Sequence, residues 1–426
     1  MQQKSLRTIA IHGGLFLLAW VTTMIAGAEN TSAYSIWVDF SWEKFWTGLP
    51  YSFSFLLFLT CHEFGHYFTA RYHQVKASLP YYIPLYIPIP GFFNIGSMGA
   101  IISLKSIPPS TRKYFDIGIA GPLAGFVISI GLLVYGFLNL PPLDEYVLSI
   151  HPEYLEIFGH MPSPLEMEAF AYLQGENGPV LSIGSNLLFD WMAQILPADP
   201  AQVPPGFELM HYPYLFVGYL TLFFTALNLL PIGQLDGGHI IYGMFGRKTA
   251  GIISRFAVMT LLIMGGTGMM RIEGWEFLSY QLGYLLLVWY IFRKTMTAGK
   301  PIPAMMMALV FVSAQAMLAT QFPGWDVNVL WLLYSFMAVR MIKVDHPPAL
   351  KEHRVNLPRQ ILGGFAILIF IVSFSPFPLK MIGMPNGELD HDFQMEIDRL
   401  QESMISTSLD TIYHEHIPSD STSSEP

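Results

Sequence analysis

Charged side chains are scarce in this sequence. Only 12% of its 426 residues are Asp, Glu, Lys or Arg, about half of the share found in ordinary soluble domains. Hydrophobic residues make up 52% of the chain and aromatic residues 15%. A soluble protein of this composition would have too little polar surface to cover its core. The composition therefore excludes the soluble class and indicates a polytopic membrane protein.

Cysteine is nearly absent as well, because Cys61 is the only one. A single cysteine excludes an intrachain disulfide framework and a multi-cysteine metal cluster. We find no internal repeat and no nucleic-acid signature, so we expect no nucleic-acid partner. The net charge of −9 could suggest a basic partner, but its distribution along the chain makes it a signal of membrane topology instead.

The sequence contains many long apolar runs. A helix that crosses a bilayer needs about 20 apolar residues, and nine segments are candidates: 8–27, 46–70, 114–138, 212–231, 252–270, 277–292, 303–320, 328–342 and 360–378. We therefore predict an all-α polytopic membrane protein with about 8–9 transmembrane helices. The first run also resembles a signal peptide, but it is longer than the usual apolar region, which favours a retained helix.

The basic residues predict an orientation. If the N-terminus is cytoplasmic, 18 of the 22 Lys and Arg residues fall on the cytoplasmic side. The segment 141–211, on the opposite side, holds ten acidic residues and no Lys or Arg. This asymmetry satisfies the positive-inside rule. We expect a bacterial inner membrane, since no plastid transit segment precedes the first run.

The segment 79–104 is free of charge but is not a simple span. It contains Pro80, Pro84, Pro88 and Pro90, and prolines at that density forbid a continuous helix. Its alternating pattern and the Pro90-Gly91 break favour a small β-hairpin or sheet insert. Within a membrane such a backbone persists only where it is buried in protein or lines a cavity.

The run 46–70 contains the pattern HExxH, as His62-Glu63-Phe64-Gly65-His66. Residues i and i+4 share one helix face, so the two imidazoles can bind one Zn²⁺ while Glu63 takes a proton from water. The alternative is two histidines satisfied inside a helix bundle, with Glu63 in a salt bridge. Burying a Glu in an apolar span costs several kcal/mol, so an ionisable cluster there indicates a functional site.

A catalytic zinc needs a third protein ligand, and Asp236 is the best candidate. It lies at the end of the fourth run, which crosses in the same direction as the second and so delivers Asp236 to the same leaflet as His62. Pro231 and the following glycines break the helix and free the backbone to turn an acid toward the ion. Two alternatives are open: Asp236 caps a helix, or His239 is the ligand.

Together these motifs resemble the site-2 protease family of intramembrane zinc metalloproteases, in its bacterial and plastid-type branch. The resemblance covers about half of the chain. It rests on the HExxH motif, on FDIGIAGPLAGF (115–126) and ALNLLPIGQLDGGH (226–239), and on the similar His346-Pro347-Pro348. It implies His62, His66 and Asp236 as zinc ligands and Glu63 as the catalytic acid and base. It also implies that Asn228 assists at the substrate carbonyl and that segment 79–104 receives an unwound substrate strand.

The function implied is hydrolysis of peptide bonds in membrane-spanning substrates near the cytoplasmic side. The expected partners are a membrane-anchored protein substrate and the lipid bilayer; the sequence indicates neither the substrate's identity nor the oligomeric state. The expected divisions are a first transmembrane helix with its outer loop, a protease core that includes the outer acidic insertion 141–211, additional transmembrane helices, and an acidic disordered tail. Their bounds are 1–44, 45–250, 251–384 and 385–426.

Two other classes of protein compete with this interpretation. A membrane di-iron hydroxylase also carries histidine pairs on helices, but it needs several such clusters and this chain has one. A non-proteolytic transporter or an inactive relative could use the cluster for ion passage, although Glu63 and the three candidate ligands are all present. We expect the small residues Gly118, Ala120, Gly121 and Gly125 to serve close helix packing, and Asp116 to be a cap or interface residue.

Overall fold

The computed structural model describes residues 2–32, 38, 40–89, 93–174, 180–271, 278–322, 325, 327–382 and 391–401. These residues are mostly helical and include two small antiparallel sheets of two strands each. The chain divides into two compact units. The first unit comprises 1–140, 184–203 and 209–378, and the second comprises 141–183, 204–208 and the chain from 379.

Fifteen labelled helices follow in chain order within the described residues: α1 Gln2–Ser32, α2 Trp42–Thr47, α3 Leu49–Tyr72, α4 Thr111–Leu138, α5 Leu143–Ile150, α6 Glu153–Ile157, α7 Pro164–Leu173, α8 Leu187–Ile195, α9 Pro213–Leu229, α10 Asp236–Phe245, α11 Arg247–Gly266, α12 Leu278–Thr295, α13 Pro301–Gln321, α14 Val329–Met337 and α15 Leu357–Ser373. Each of the nine apolar runs overlaps one of them. The strands are β1 Tyr81–Pro84, β2 Ser97–Ile101, β3 Val180–Ile183 and β4 Leu379–Ile382.

Several of these helices can cross a membrane. Among the described residues, four are both long and apolar enough: Arg7–Ser32, Thr111–Leu138, Arg247–Met270 and Pro301–Gln321. Three shorter apolar helices lie at Pro213–Leu229, Val329–Ile342 and Leu357–Ser373. The chain is therefore a membrane protein with several apolar helices, whereas the expected count of 8–9 spans is not confirmed.

Helices α3 and α4 pack against each other more extensively than any other labelled pair of the first unit, and small residues make this possible. Helix α3 begins after Gly48 with a proline in its first turn, a position where the missing N–H costs nothing. The Ser110 side chain caps the start of α4 by accepting from the Lys113 N–H. A Cβ on Gly65 would lie only 2.6 Å from the Ala120 carbonyl oxygen of α4. The two backbones thus meet where only glycine fits, in agreement with the packing role expected for this stretch.

Segment 79–104 forms the expected hairpin, with β1 and β2 paired antiparallel so that Tyr81 lies opposite Ile101. The Pro90-Gly91 break lies outside the described residues. The hairpin follows α1: His12 Nδ1 lies 2.8 Å from the Pro80 carbonyl oxygen, and Asn30 donates to the Asn94 carbonyl at 2.9 Å. His12 and Asn30 are about 27 Å apart along α1 at 1.5 Å per residue. The hairpin therefore extends over most of the thickness of a hydrocarbon core.

An ion cluster of Asp116, Arg359 and His73, called here the Asp116 cluster, ties three helices together. Arg359 donates to both carboxylate oxygens of Asp116, at 2.6 and 2.9 Å. His73 Nε2 lies 2.9 Å from Asp116 Oδ2. The cluster joins the end of α3 to the starts of α4 and α15. Asp116 is thus an interface residue rather than a helix cap.

The second unit contains a sheet that the sequence did not predict. Strands β3 and β4 pair antiparallel, with Ser182 opposite Lys380. Their pairing puts residues 183 and 379 on one side of the membrane, so the intervening chain must cross it an even number of times. Six of the nine predicted runs lie between them in the chain, and whether each of the six crosses stays a prediction.

Part of the predicted disordered tail is ordered in the second unit. Residues 391–401 are helical, and Phe393, Ile397 and Leu400 are buried in a cluster that includes Met167. Spacings of four and then three residues place these side chains on one helix face. The expectation of disorder over 385–426 is corrected for this stretch, and 402–426 lie outside the described residues.

Candidate metal centre

His62 and His66 lie one turn apart on α3, and both are buried. Their Nε2 atoms are 3.1 Å apart. His66 Nδ1 lies 2.7 Å from the Ile117 carbonyl oxygen of α4. Since a carbonyl only accepts, Nδ1 of His66 carries the proton and its Nε2 is left with a free lone pair. The helix-to-helix contact thus sets the orientation of a candidate ligand.

Asp236 is the first residue of α10 and points at both imidazoles. Its Oδ2 lies 3.5 Å from His62 Nε2 and 3.3 Å from His66 Nε2. The chain reaches this position by a tight turn after α9. A Cβ on Gly237 would overlap the Leu229 carbonyl, and one on Gly238 would overlap the Gly233 carbonyl. Glycines are therefore what allow α10 to begin so close to the end of α9.

The three ligand atoms fit a single zinc ion. They are separated by 3.1, 3.3 and 3.5 Å. Two ligands about 2.0–2.1 Å from a tetrahedral zinc are themselves about 3.3–3.4 Å apart, which is close to the spacing found here. Within the described residues, His62 Nδ1 is buried without a hydrogen-bond partner, whereas His66 has its carbonyl. The donor set, two imidazoles and one carboxylate, is the kind that a hydrolytic zinc uses.

Glu63 lies beside this trio, with only 6% of its surface exposed. Its carboxylate interacts with the backbone N–H of Ile102, immediately after β2. A second contact joins the same elements, because the hydroxyl oxygens of Thr60 and Tyr82 are 2.7 Å apart. The hairpin therefore contacts α3 at Glu63. The sequence did not predict this contact, because no motif in segment 79–104 indicates it.

Asn228 completes the group of residues selected from the sequence. It lies in the last turn of α9, and its Nδ2 is 3.5 Å from His62 Nε2. The structure thus brings together His62, Glu63, His66, Asn228 and Asp236. His239, the alternative third ligand, is not in the trio; its Nδ1 lies 2.6 Å from His346 Nε2.

The stretch 115–126 contributes more to the site than helix packing. A Cβ on Gly121 would overlap Nε2 of His66, and one on Gly125 would lie 3.2 Å from His62 Nδ1. The Ile117 carbonyl orients His66 as described above. The glycine spacing was visible in the sequence, but its contact with the histidines depends on the pairing of α3 with α4.

Comparison with known proteins decides the family. The model of peptidase family M50 matches residues 50–270, more than half of the chain. The chain belongs to peptidase family M50. This is the site-2 protease family, so the resemblance inferred from the motifs is confirmed. The matched region contains the complete trio together with Glu63 and Asn228.

Three similar curated proteins come from plants. The chain is 29% identical over 287 residues to "Probable zinc metalloprotease EGY1, chloroplastic" of Arabidopsis thaliana, covering 65% of this chain and 43% of the relative. It is 26% identical over 308 residues to "Probable zinc metallopeptidase EGY3, chloroplastic" of the same plant, covering 71% and 46%. It is 30% identical over 197 residues to "Probable zinc metalloprotease EGY2, chloroplastic" of Oryza sativa subsp. indica, covering 46% and 29%.

The chain spans less than half the length of these relatives. No solved structure matches it. The expected Zn²⁺ cofactor is supported both by the family and by the ligand geometry. The relatives are named chloroplastic, so the comparisons give no support to the expected bacterial inner membrane.

Proposed function

We propose that this protein is a zinc metalloprotease that hydrolyses peptide bonds inside the membrane. The observation that carries the proposal is the convergence of His62, His66 and Asp236 on one point, with Glu63 adjacent, in a site built on an apolar helix bundle. Burying a carboxylate beside such a donor set costs free energy, so its presence there indicates a functional role. Peptide hydrolysis assigns a role to each of the four groups.

In this mechanism His62, His66 and Asp236 hold the ion. When bound, zinc lowers the pKa of a coordinated water toward 7 and polarises a carbonyl. Glu63 accepts the proton of the attacking water and then delivers it to the amine that leaves. Asn228 Nδ2, which faces the same space, donates a hydrogen bond to the substrate carbonyl oxygen as negative charge develops on it.

The proposed substrates are membrane-anchored proteins that present an extended strand. A helix hides its carbonyls in its own hydrogen bonds, so the scissile segment has to unwind. The hairpin offers β2 as a template, with Met98 and Ile101 exposed at 58% and 56%. A strand added to that edge would pass Ile102 and arrive at Glu63. The contact between Ile102 and Glu63 supports this role.

We further propose that the site faces the cytoplasmic half of the membrane. The distribution of Lys and Arg supports a cytoplasmic N-terminus. In the resulting topology of about nine crossings, the end of α3 and the starts of α4 and α15 are cytoplasmic, and the Asp116 cluster joins these ends. His62 lies nine residues before Arg71, so the site is about 13 Å inside that interface. Cytoplasmic water therefore has a short path to the reaction.

Substitution of Glu63 tests the proposal. In Glu63→Gln we expect unchanged zinc content and at least a 10²-fold loss of proteolysis, because a general base contributes about that much or more. The measurement pairs metal analysis of the full-length protein with cleavage of a membrane-spanning substrate in vesicles. Cys61→Ser, two positions away from the base on the same helix, is the control and should retain both properties.

Full cleavage by Glu63→Gln would overturn the protease assignment and leave the non-proteolytic classes. Asp236→Ala should lose zinc; if it kept full occupancy, the third ligand would be His239. Two irons per chain in place of one zinc would favour the hydroxylase class.

A further inference from the structure

His346, in the His346-Pro347-Pro348 motif, has a built environment that the proposed mechanism does not use. Only 5% of its surface is exposed. Its ring stacks on Tyr242 of α10 with centroids 4.0 Å apart, and it meets Tyr114 of α4 edge-on at 4.9 Å. Tyr242 is itself held, because its hydroxyl donates to Glu352 and accepts from the Ala349 N–H. The ring of His346 is thus confined between two elements of the core.

Both ring nitrogens of His346 have defined partners. Nδ1 lies 2.6 Å from the Pro347 carbonyl oxygen, and Nε2 lies 2.6 Å from His239 Nδ1. Because a carbonyl only accepts, His346 Nδ1 must donate. Burial and the neighbouring His239 lower the pKa of His346 to about 3, so the ring is neutral and its Nε2 accepts. His239 must therefore donate through Nδ1, which fixes its tautomer and its ring plane.

His239 lies one turn after Asp236 on α10. A Cβ on Gly118 of α4 would lie 2.7 Å from the Cβ of His239, so His239 is packed between α4 and His346. A second contact joins the same segments: a Cβ on Gly233 would overlap the Lys343 carbonyl. The start of α10 has no side-chain cap of its own. The segment 343–346 therefore braces the turn that presents Asp236.

We propose that His346 is a positioning residue of the metal centre, which holds α10 through His239 and thereby holds Asp236 against His62 and His66. The inference rests on the proposed function. The His346-Pro347-Pro348 motif lies about 110 residues beyond Asp236 in the chain. The contact between His346 and His239 makes it part of the metal centre's surroundings. His346 acts through His239 and α10 and does not itself bind the metal.

The test compares His346→Phe with His346→Gln in the full-length protein. Phenylalanine keeps the stacking on Tyr242 but removes both nitrogens, whereas glutamine can still accept from His239. His353→Ala, an exposed position of the same loop, is the matched control. Zinc affinity is measured by competition with a chromophoric chelator, and the ligand field by the visible spectrum of the Co²⁺-substituted protein. Cleavage and thermal melting are recorded in parallel.

In His346→Phe we expect zinc affinity to fall about tenfold or more, as for other outer partners of metal sites, with an altered Co²⁺ spectrum and a lower kcat. His346→Gln should recover part of the affinity, and His353→Ala should match the wild type. If His346→Phe kept the zinc affinity and the Co²⁺ spectrum of the wild type, the inference would be overturned. This holds even if the melting temperature of the variant fell. A wild-type protein that binds zinc but cuts nothing would refute the protease assignment and leave the positioning role standing. A wild-type protein that binds no zinc would refute both.

Discussion

Single missing methyl groups decide the geometry of this metal centre. Gly121 is the position where α4 lies against the ring of His66, and any Cβ there would overlap Nε2. Gly131 lies on the same helix, where an added Cβ meets nothing within 4 Å. Glycine has the same low helix propensity at both positions. Replacing each with alanine therefore separates a packing effect at the metal centre from a general effect on the stability of α4.

We expect Gly121→Ala to weaken zinc binding more than tenfold, because the His66 ring must rotate away from Asp236 to make room. Gly131→Ala should bind zinc as the wild type does and gain up to about 1 kcal/mol of helix stability. Zinc affinity and thermal melting of both variants in detergent provide the comparison. Equal zinc affinity in the two variants would contradict the contact between Gly121 and His66.

At this scale the sequence predicted residues but not their neighbours. HExxH and the Asn228 to His239 stretch each have spacings with chemical meaning, so His62, Glu63, His66, Asn228 and Asp236 could be selected before any fold was known. The Ile117 carbonyl, the Ile102 amide and the brace from His346 could not. Main-chain groups have no sequence signature. His346 reaches the site only through its contact with His239, in a position held by packing against Tyr114 and Tyr242.

At the scale of whole elements, the Asp116 cluster joins the ends of three helices. Asp116 and Arg359 are both largely buried, at 14% and 21% side-chain exposure. Removing one partner of a buried ion pair leaves the other charge uncompensated, and such losses cost about 3 kcal/mol or more. The cluster therefore stabilises the alignment of α3, α4 and α15 at the end nearest the metal centre.

We expect Arg359→Leu to lower the free energy of unfolding by about 3 kcal/mol, since Asp116 then lacks its bidentate partner. The double variant Asp116→Asn, Arg359→Leu should be less destabilised than the single one. Arg354→Ala, an exposed arginine in the loop that precedes α15, should have little effect. Denaturant unfolding of the purified protein measures all three, and additive effects in the double variant would rule out coupling between the pair.

Local signals also explain which elements could be predicted. The hairpin of β1 and β2 was visible because four prolines in a charge-free stretch forbid a helix. The sheet of β3 and β4 was not, because its strands are four residues long and about 200 residues apart in the chain. The helix at 391–401 has the apolar spacing of Phe393, Ile397 and Leu400, but the acidic and Ser/Thr-rich segments around it dominated the composition.

The whole molecule is constrained by pairings between distant segments. In the second unit, β3 with β4 requires residues 183 and 379 to lie on the same side of the membrane. In the first unit, the Asp116 cluster requires the end of α3 and the starts of α4 and α15 to lie together. These two conditions are independent of the basic residues from which the orientation was predicted. An error of one crossing between residues 183 and 379 would break the first condition.

Labelling of introduced cysteines tests both conditions at once. In a Cys61→Ser background, Ser149→Cys and Lys380→Cys should react with an impermeant thiol reagent from one side, because both positions are exposed and belong to the unit that contains the β3–β4 sheet. Lys76→Cys and His353→Cys, also exposed, follow α3 and precede α15, whose ends the Asp116 cluster joins, so both should react from one common side. Oxidation of a Ser182→Cys, Lys380→Cys pair should cross-link the two strands, which are directly opposed at that position.

Labelling of positions 149 and 380 from different sides would contradict the sheet and the even number of crossings. Labelling of 76 and 353 from different sides would separate α3 from α15 and leave the Asp116 cluster without a physical basis.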